Sequence, residues 1–232
     1  MLAPNAPEGY VARSVIRGEF LWDRTAARAD IERALALDPN NAHALADYAE
    51  LLGQLGLLPQ ALATARRAVD VDPLSGEAWE TLAGILRNDG QLAAAREAIL
   101  RTEQLKPRAV HSGNRLAEVE LLGGHPDQAM VIAARTRFPE IMISLAAYTL
   151  GRQDESQRAL DTLIRKYPDI LAYQIGEAYA WRGDADQAFA WFDRACAQHD
   201  GGLSSLKVDP LVFKVRSDPR YAALLAKVGL PP

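Results

Sequence analysis

The chain has 232 residues, of which 49% are hydrophobic and 24% charged, a composition typical of a folded protein rather than a disordered one. Its net charge of -4 gives no general attraction to nucleic acid or to an anionic membrane, so neither is expected as a partner of this chain alone. A single cysteine, Cys196, excludes an internal disulfide framework and favours a reducing compartment.

The first residues, MLAPNAPEGYVARS, do not show the basic flank and apolar run of a signal peptide. No stretch of the sequence approaches the ~18 uncharged apolar residues that a membrane helix needs. We therefore expect a cytoplasmic protein without a membrane span.

A period of 34 residues runs through the first half of the chain. It is kept in one register by three kinds of residue: Pro39, Pro73 and Pro107; Gly56, Gly90 and Gly124; Ala61, Ala95 and Ala129. Later the spacing loosens, and Gly151 and Gly183 continue the glycine series. Such a period predicts stacked copies of one structural unit.

The segments between these markers predict helices, because apolar residues recur at three- and four-residue steps and proline is absent from their interiors. In chain order, 8–39 keeps only a second helix in register, whereas 42–75 and 76–109 each predict helix, glycine turn, helix and proline stop. The second helix of 110–136 looks shortened, 137–168 is degenerate, and 169–200 is again clear. Small residues recur in the first helices where neighbouring helices must approach closely: Ala49, Ala83, Ala117 and Gly176.

These spacings resemble the tetratricopeptide repeat. The resemblance is carried by Trp79, Leu82, Ala83, Leu86, Gly90, Ala95, Ile99 and Pro107, and again by Ile175, Gly176, Tyr179, Gly183, Ala188, Phe192 and Ala195. It implies an all-α, right-handed superhelical solenoid of about six helix pairs over residues 1–200. The pairs are expected at 8–41, 42–75, 76–109, 110–136, 137–168 and 169–200.

Residues 201–232 predict a C-terminal cap, since the last pair of a solenoid needs a cover with a polar outer side. Asp218 before Pro219 is a helix start, and Tyr221, Leu224, Leu225 and Val228 form an apolar stripe that ends at Gly229. Asp209-Pro210 predicts a shorter turn with Leu211, Phe213 and Val215 facing inward.

The resemblance implies a concave groove, lined by first helices, that binds a peptide or protein segment. The groove residues selected from the sequence are Asp47, Glu50, Arg87, Asn88, Asn114, Arg115, Tyr173, Gln174 and Trp181. The four in the middle could bind a ligand carboxylate, or they could form a solvated face with intramolecular partners. The aromatic pair could anchor a ligand, or it could pack on the C-terminal tail.

No enzyme motif is present, and we expect neither catalytic residues nor a cofactor. The four histidines are scattered, and no metal site is expected from them. Cys196 near His199 invites a thiol nucleophile, but a lone cysteine in an amphipathic helix usually packs as a small apolar residue.

The stretches LWDRTAARADIERALALDPNNAHALADYAELL and YQIGEAYAWRGDADQAFAWFDRACAQHDGG, with the cap that follows, resemble the C-terminal repeat region of certain bacterial signalling proteins. In those proteins the repeats follow a winged-helix, nucleotide cyclase or Ser/Thr kinase domain, and none of these domains is visible here. Two hypotheses result. The chain is an adaptor or scaffold that binds a partner in its groove, or it is a regulatory or self-association module that controls an effector domain in cis or in trans.

Overall fold

The structure is a computed structural model that describes residues 6–106 and 112–231. Within these ranges it contains thirteen α-helices and no strand. They are α1 Pro7–Val15, α2 Arg24–Leu37, α3 Ala42–Gln54, α4 Leu58–Val71, α5 Gly76–Asn88, α6 Leu92–Leu105, α7 Ser112–Leu122, α8 Pro126–Ala133, α9 Pro139–Thr149, α10 Gln153–Lys166, α11 Ala172–Arg182, α12 Ala185–Gln198 and α13 Pro219–Lys227. The prediction of an all-α protein built from helix pairs is confirmed.

Local sequence explains where the helices begin and where each pair turns. The side chains of Asn41 and Ser75 cap α3 and α5 by accepting hydrogen bonds from the amides of Ala44 and Ala78. Between the two helices of a pair, Gly90 has φ 77°, a left-handed conformation in which a β-carbon would be strained. The repeat marker Pro107 and the histidine His111 lie outside the described residues.

Among the described residues, the first of two compact units comprises 6–106 together with 229–231. It contains the pairs α1/α2, α3/α4 and α5/α6, and the first helices α3 and α5 lie side by side. The sequence predicted only the second helix of the first pair, but α1 is formed as well and continues into a π-helical turn, Ile16–Phe20. The carboxylate of Asp30 on α2, which is buried, holds α1 through ion pairs with Arg13 and Arg17.

Among the described residues, the second unit comprises 112–228 and contains the pairs α7/α8, α9/α10 and α11/α12. Its core is apolar and includes Leu145, Leu160, Leu163 and Ile175. The second helix α8 has only eight residues. On α11, Gly176 lies so close to Phe192 of α12 that an added β-carbon would be 2.5 Å from the ring. The glycine there is a packing requirement of the helix pair.

After α12 the chain forms two 3₁₀ helices, Gly201–Ser205 and Pro210–Val215, before α13. The side chains of Asp209 and Asp218 accept hydrogen bonds from the amides of Leu211 and Arg220 and so begin the last two elements, as the sequence indicates. The stripe of Tyr221, Leu224, Leu225 and Val228 is buried.

One expectation for this segment is wrong. Phe213 was predicted to face inward, but it is 54% exposed, and Val212 is buried instead. Leu211 and Val215 are buried as expected. A 3₁₀ helix has three residues per turn and therefore places Val212 and Val215 on the same side.

The C-terminal segment also keeps the repeat register, which was not predicted from the sequence. Arg220 and Lys227 of α13 pair with Asp186 and Asp193 of α12 at 2.8 and 2.9 Å, and each partner lies 34 residues earlier. The second 3₁₀ helix packs on α11, while α13 packs on α12. The segment thus occupies the place of a seventh pair whose first helix has become 3₁₀.

Candidate functional site

An acidic cavity lies on the first-helix face of the N-terminal unit, between α3 and the end of α1. Its volume is about 30 Å³, room for one or two water-sized groups. It is lined by Ser14, Val15, Gly18, Glu19, Asp47, Glu50, Leu51 and Gln54. Two of the residues selected from the sequence, Asp47 and Glu50, therefore line the same cavity, one turn apart on α3.

Asp47 is the most perturbed carboxyl group of this face. Its side chain is 16% exposed. Burial raises its pKa to about 7, an effect that the carboxylates of Glu50, Glu77 and Glu19 reinforce and that His43 partly offsets. A cation bound next to this carboxyl group would stabilise its charged form.

His43 lies between two carboxylates. Its Nδ1 is 3.1 Å from Oε2 of Glu77 on α5, and its Nε2 is 3.8 Å from Oδ2 of Asp47 on its own helix. That Oδ2 atom is buried and has no hydrogen-bond partner in the described part of the chain. One nitrogen of His43 and one oxygen of each carboxylate all lie within 4.8 Å of one another.

No metal-ligating set was expected from the histidines, although two signals were available in the sequence. Asp47 follows His43 by four residues, a spacing that places both on one helix face. Glu77 lies 34 residues after His43, the repeat period, and so projects from the equivalent position of the next first helix. Comparing the histidines with the repeat register would have brought these three residues together.

Arg87 and Asn88 are the last two residues of α5. Nε and Nη2 of Arg87 donate to the side-chain oxygen of Asn88 at 3.0 and 2.7 Å. The two side chains thus form an intramolecular pair, and a carboxylate-binding role for them stays a prediction.

Asn114 and Arg115 lie on α7 in the C-terminal unit, and both are partly buried. The Oδ1 atom of Asn114 is buried without a hydrogen-bond partner in the described ranges. These two residues are therefore placed on the first helix of their own pair, and a carboxylate-binding role for them stays a prediction.

The aromatic residues of α11 pack against the C-terminal segment. Tyr173 is 2% exposed and donates a 2.7 Å hydrogen bond from its hydroxyl to Oδ2 of Asp209. The ring of Trp181 meets Phe213 edge-on, with centroids 6.5 Å apart, and Lys214 lies over it at 5.4 Å. Both residues thus contact the C-terminal segment, and a role as ligand anchors stays a prediction. Gln174 beside them is half-buried.

The thiol of Cys196 is poorly suited to nucleophilic chemistry. The residue is buried in α12, and burial raises the pKa of its thiol, which keeps it protonated at neutral pH. The nearby His199 contacts it through the backbone, where the amide of His199 donates to the carbonyl of Cys196.

No helix in residues 6–106 and 112–231 combines the length and the apolar character needed to cross a bilayer.

Solved structures with the same fold have low sequence identity to this chain. PilW, described as a widely conserved type IV pilus biogenesis factor, superposes with a TM-score of 0.64 at 19% identity, covering 71% of this chain and 80% of PilW. Pseudomonas aeruginosa pilF gives 0.60 at 16% identity, covering 87% and 95%. A thermophilic TPR protein of Thermus thermophilus gives 0.53 at 21% identity, covering 95% and 100%. These likenesses concern the fold alone.

No curated protein sequence matches the chain. Two family models described as Tetratricopeptide repeat match residues 23–85 and 141–202, one in each unit and together more than half of the chain. The chain therefore belongs to the tetratricopeptide-repeat proteins, whose repeats generally form non-catalytic modules for protein–protein interaction.

Proposed function

We propose that the first-helix face of the N-terminal unit binds a basic segment of a partner peptide or protein, so that the chain acts as an adaptor or scaffold. The observation that supports this proposal is the acidic cavity beside Asp47 and Glu50, on a face where neighbouring first helices lie side by side. In chemical terms, the partner is a chain segment with lysine or arginine side chains.

The cavity suits the end of such a side chain, not its whole stem, because its volume is about 30 Å³. Val15 and Leu51 offer apolar contacts to the last methylene group, while Glu19, Asp47 and Glu50 offer carboxylates to the charged end. Charge complementarity of this kind speeds encounter and selects among partners, and it weakens as salt screens exposed charges.

In the last helix pair of the C-terminal unit, the first-helix face is less accessible to a partner. There the chain's own segment around Asp209, Phe213 and Lys214 covers Tyr173 and lies against Trp181. For this reason we place the peptide contact on the N-terminal unit.

The experiment is affinity capture with the purified full chain, partner identification by mass spectrometry, and titration of the partner against charge-reversed variants. Glu50→Lys should weaken binding by at least about tenfold, because it places a positive charge at the cavity. Glu97→Lys makes the same charge change on the exposed surface of the second helix α6, and binding should stay within about twofold.

Equal loss in both variants would show that net charge, not this face, governs binding. Unchanged binding in Glu50→Lys would overturn the proposal. If no partner is captured and sedimentation shows a concentration-dependent oligomer, the regulatory or self-association hypothesis, with an effector domain in cis or in trans, replaces it. The compartment in which this happens, expected to be the cytoplasm, is part of the same proposal.

A further inference from the structure

We infer that His43, Asp47 and Glu77 form a binding site for one divalent transition-metal ion of the Zn²⁺ type. The site goes beyond the proposed peptide binding and does not depend on it. It joins two neighbouring repeats, because His43 and Asp47 belong to α3 and Glu77 to α5.

The geometry brings three donor atoms close to the separation that such an ion needs. Zinc ligands at about 2.0–2.1 Å in a tetrahedron are separated from each other by about 3.3 Å. Nδ1 of His43 is 3.1 Å from Oε2 of Glu77, whereas its Nε2 is the nitrogen 3.8 Å from Oδ2 of Asp47. One nitrogen of His43 and one oxygen of each carboxylate lie within 4.8 Å of one another. The side chains of His43 and Glu77 are about half exposed, so small rotations that close the set meet little resistance.

Charge provides the second reason for a cation at this place. The Oδ2 atom of Asp47 is buried and accepts no hydrogen bond in the described residues. Removing a carboxylate oxygen from water without a partner is costly, and a bound cation would supply the missing partner. Glu50 and Glu19 add further negative charge around the same group.

The donor types select the class of ion. One imidazole nitrogen with two carboxylate oxygens suits Zn²⁺, Co²⁺ or Ni²⁺, whereas Ca²⁺ and Mg²⁺ prefer oxygen ligands alone. Three protein ligands leave a fourth tetrahedral position, which water would fill.

The test is calorimetric titration of tag-free, chelator-treated full chain with ZnCl₂, accompanied by the visible absorption of the Co²⁺ complex and by thermal melting. The expected result is one ion per chain, a tetrahedral Co²⁺ spectrum, a higher melting temperature with Zn²⁺ and no comparable response to Ca²⁺. His43→Ala and Glu77→Gln should each weaken Zn²⁺ binding by at least about tenfold, since even changes behind the ligands cost about 10–100-fold.

His125→Ala is the matched control. Nδ1 of His125 lies 3.2 Å from Oε2 of Glu120, a similar His–Glu pair, but no third ligand joins it in the described ranges. Zn²⁺ affinity should therefore be unchanged in this variant. His43 and Glu77 are exposed, so their variants should fold, and circular dichroism of the metal-free proteins checks this.

Three outcomes would overturn the inference. The first is that no Zn²⁺ binding is detected by calorimetry. The second is that the number of Zn²⁺ ions bound per chain falls in His125→Ala but not in His43→Ala. The third is that the wild type, His43→Ala and Glu77→Gln bind Zn²⁺ with equal affinity. In each case the three residues would be an imidazole–carboxylate cluster without a metal.

Discussion

Gly176 on α11 provides a direct test of how tightly the last helix pair is packed. An alanine β-carbon at this position would lie 2.5 Å from Cε1 and 2.6 Å from Cδ1 of Phe192. The ring cannot easily withdraw, because Phe192 is fully buried and lies between Tyr173 at 5.6 Å and Phe189 at 6.1 Å, measured between ring centroids.

Two opposing terms decide the effect of Gly176→Ala on the free energy of unfolding. Replacing glycine by alanine inside a helix contributes about 1 kcal/mol of stability, whereas overpacking a well-filled core costs about 1–3 kcal/mol. Contacts near 2.5 Å place this site at the upper end of that cost, so we expect a net loss of about 2 kcal/mol.

Gly84 on α5 gives the matched control, since nothing lies within 4 Å of an added β-carbon there. Gly84→Ala should therefore gain up to about 1 kcal/mol from helix propensity alone. Urea unfolding followed by circular dichroism measures both variants through their midpoints and slopes. If Gly176→Ala were as stable as the wild type or more stable, the packing argument would be refuted. A Phe192→Leu background should reduce the cost of Gly176→Ala, which a double-mutant cycle detects.

Three further outcomes are expected. The native pKa of Asp47, about 7, exceeds that of free aspartate, so the unfolded state loses its proton first as pH rises. The wild type should therefore lose stability relative to Asp47→Asn between about pH 4 and 7, by up to about 4 kcal/mol. Urea unfolding of both chelator-treated proteins across this pH range measures the difference, and parallel pH profiles would contradict it. Tyr173→Phe should cost about 1–3 kcal/mol by removing the buried hydrogen bond to Asp209, and an unchanged urea midpoint would show that the bond contributes nothing. Deleting 217–232 should lower the melting temperature and solubility by exposing the face that Tyr221 and Leu225 cover, whereas an unchanged melt would refute the capping role.

The parts of the fold that sequence predicted well are those where local pattern and tertiary packing agree. Helices α3 to α6 combine the 34-residue period with small residues at the close approaches, so their pairing is readable from spacing alone. Helix α1 lacks those markers. It is held by the buried Asp30 and its two arginine partners, an interaction between positions 13 to 17 residues apart that no periodic pattern reveals.

The candidate site was predictable in part for the same reason. Asp47 and Glu50 could be placed on the first-helix face because that face follows from the helix period. The burial of Tyr173 could not, since it depends on where residues after the last repeat return, and Asp209 lies 36 residues away. His43 and Asp47 are four residues apart on one helix, and Glu77 lies one repeat period after His43. This set could therefore have been predicted from the sequence.

The pairing of α13 with α12 at an offset of 34 residues separates two properties of a helix pair that usually occur together. The first element of this pair is a 3₁₀ helix, yet Arg220 and Lys227 still lie one period after Asp186 and Asp193. The spacing between neighbouring second helices is therefore kept where the first element is not α-helical. The sequence of a first element can thus vary more widely than the period itself.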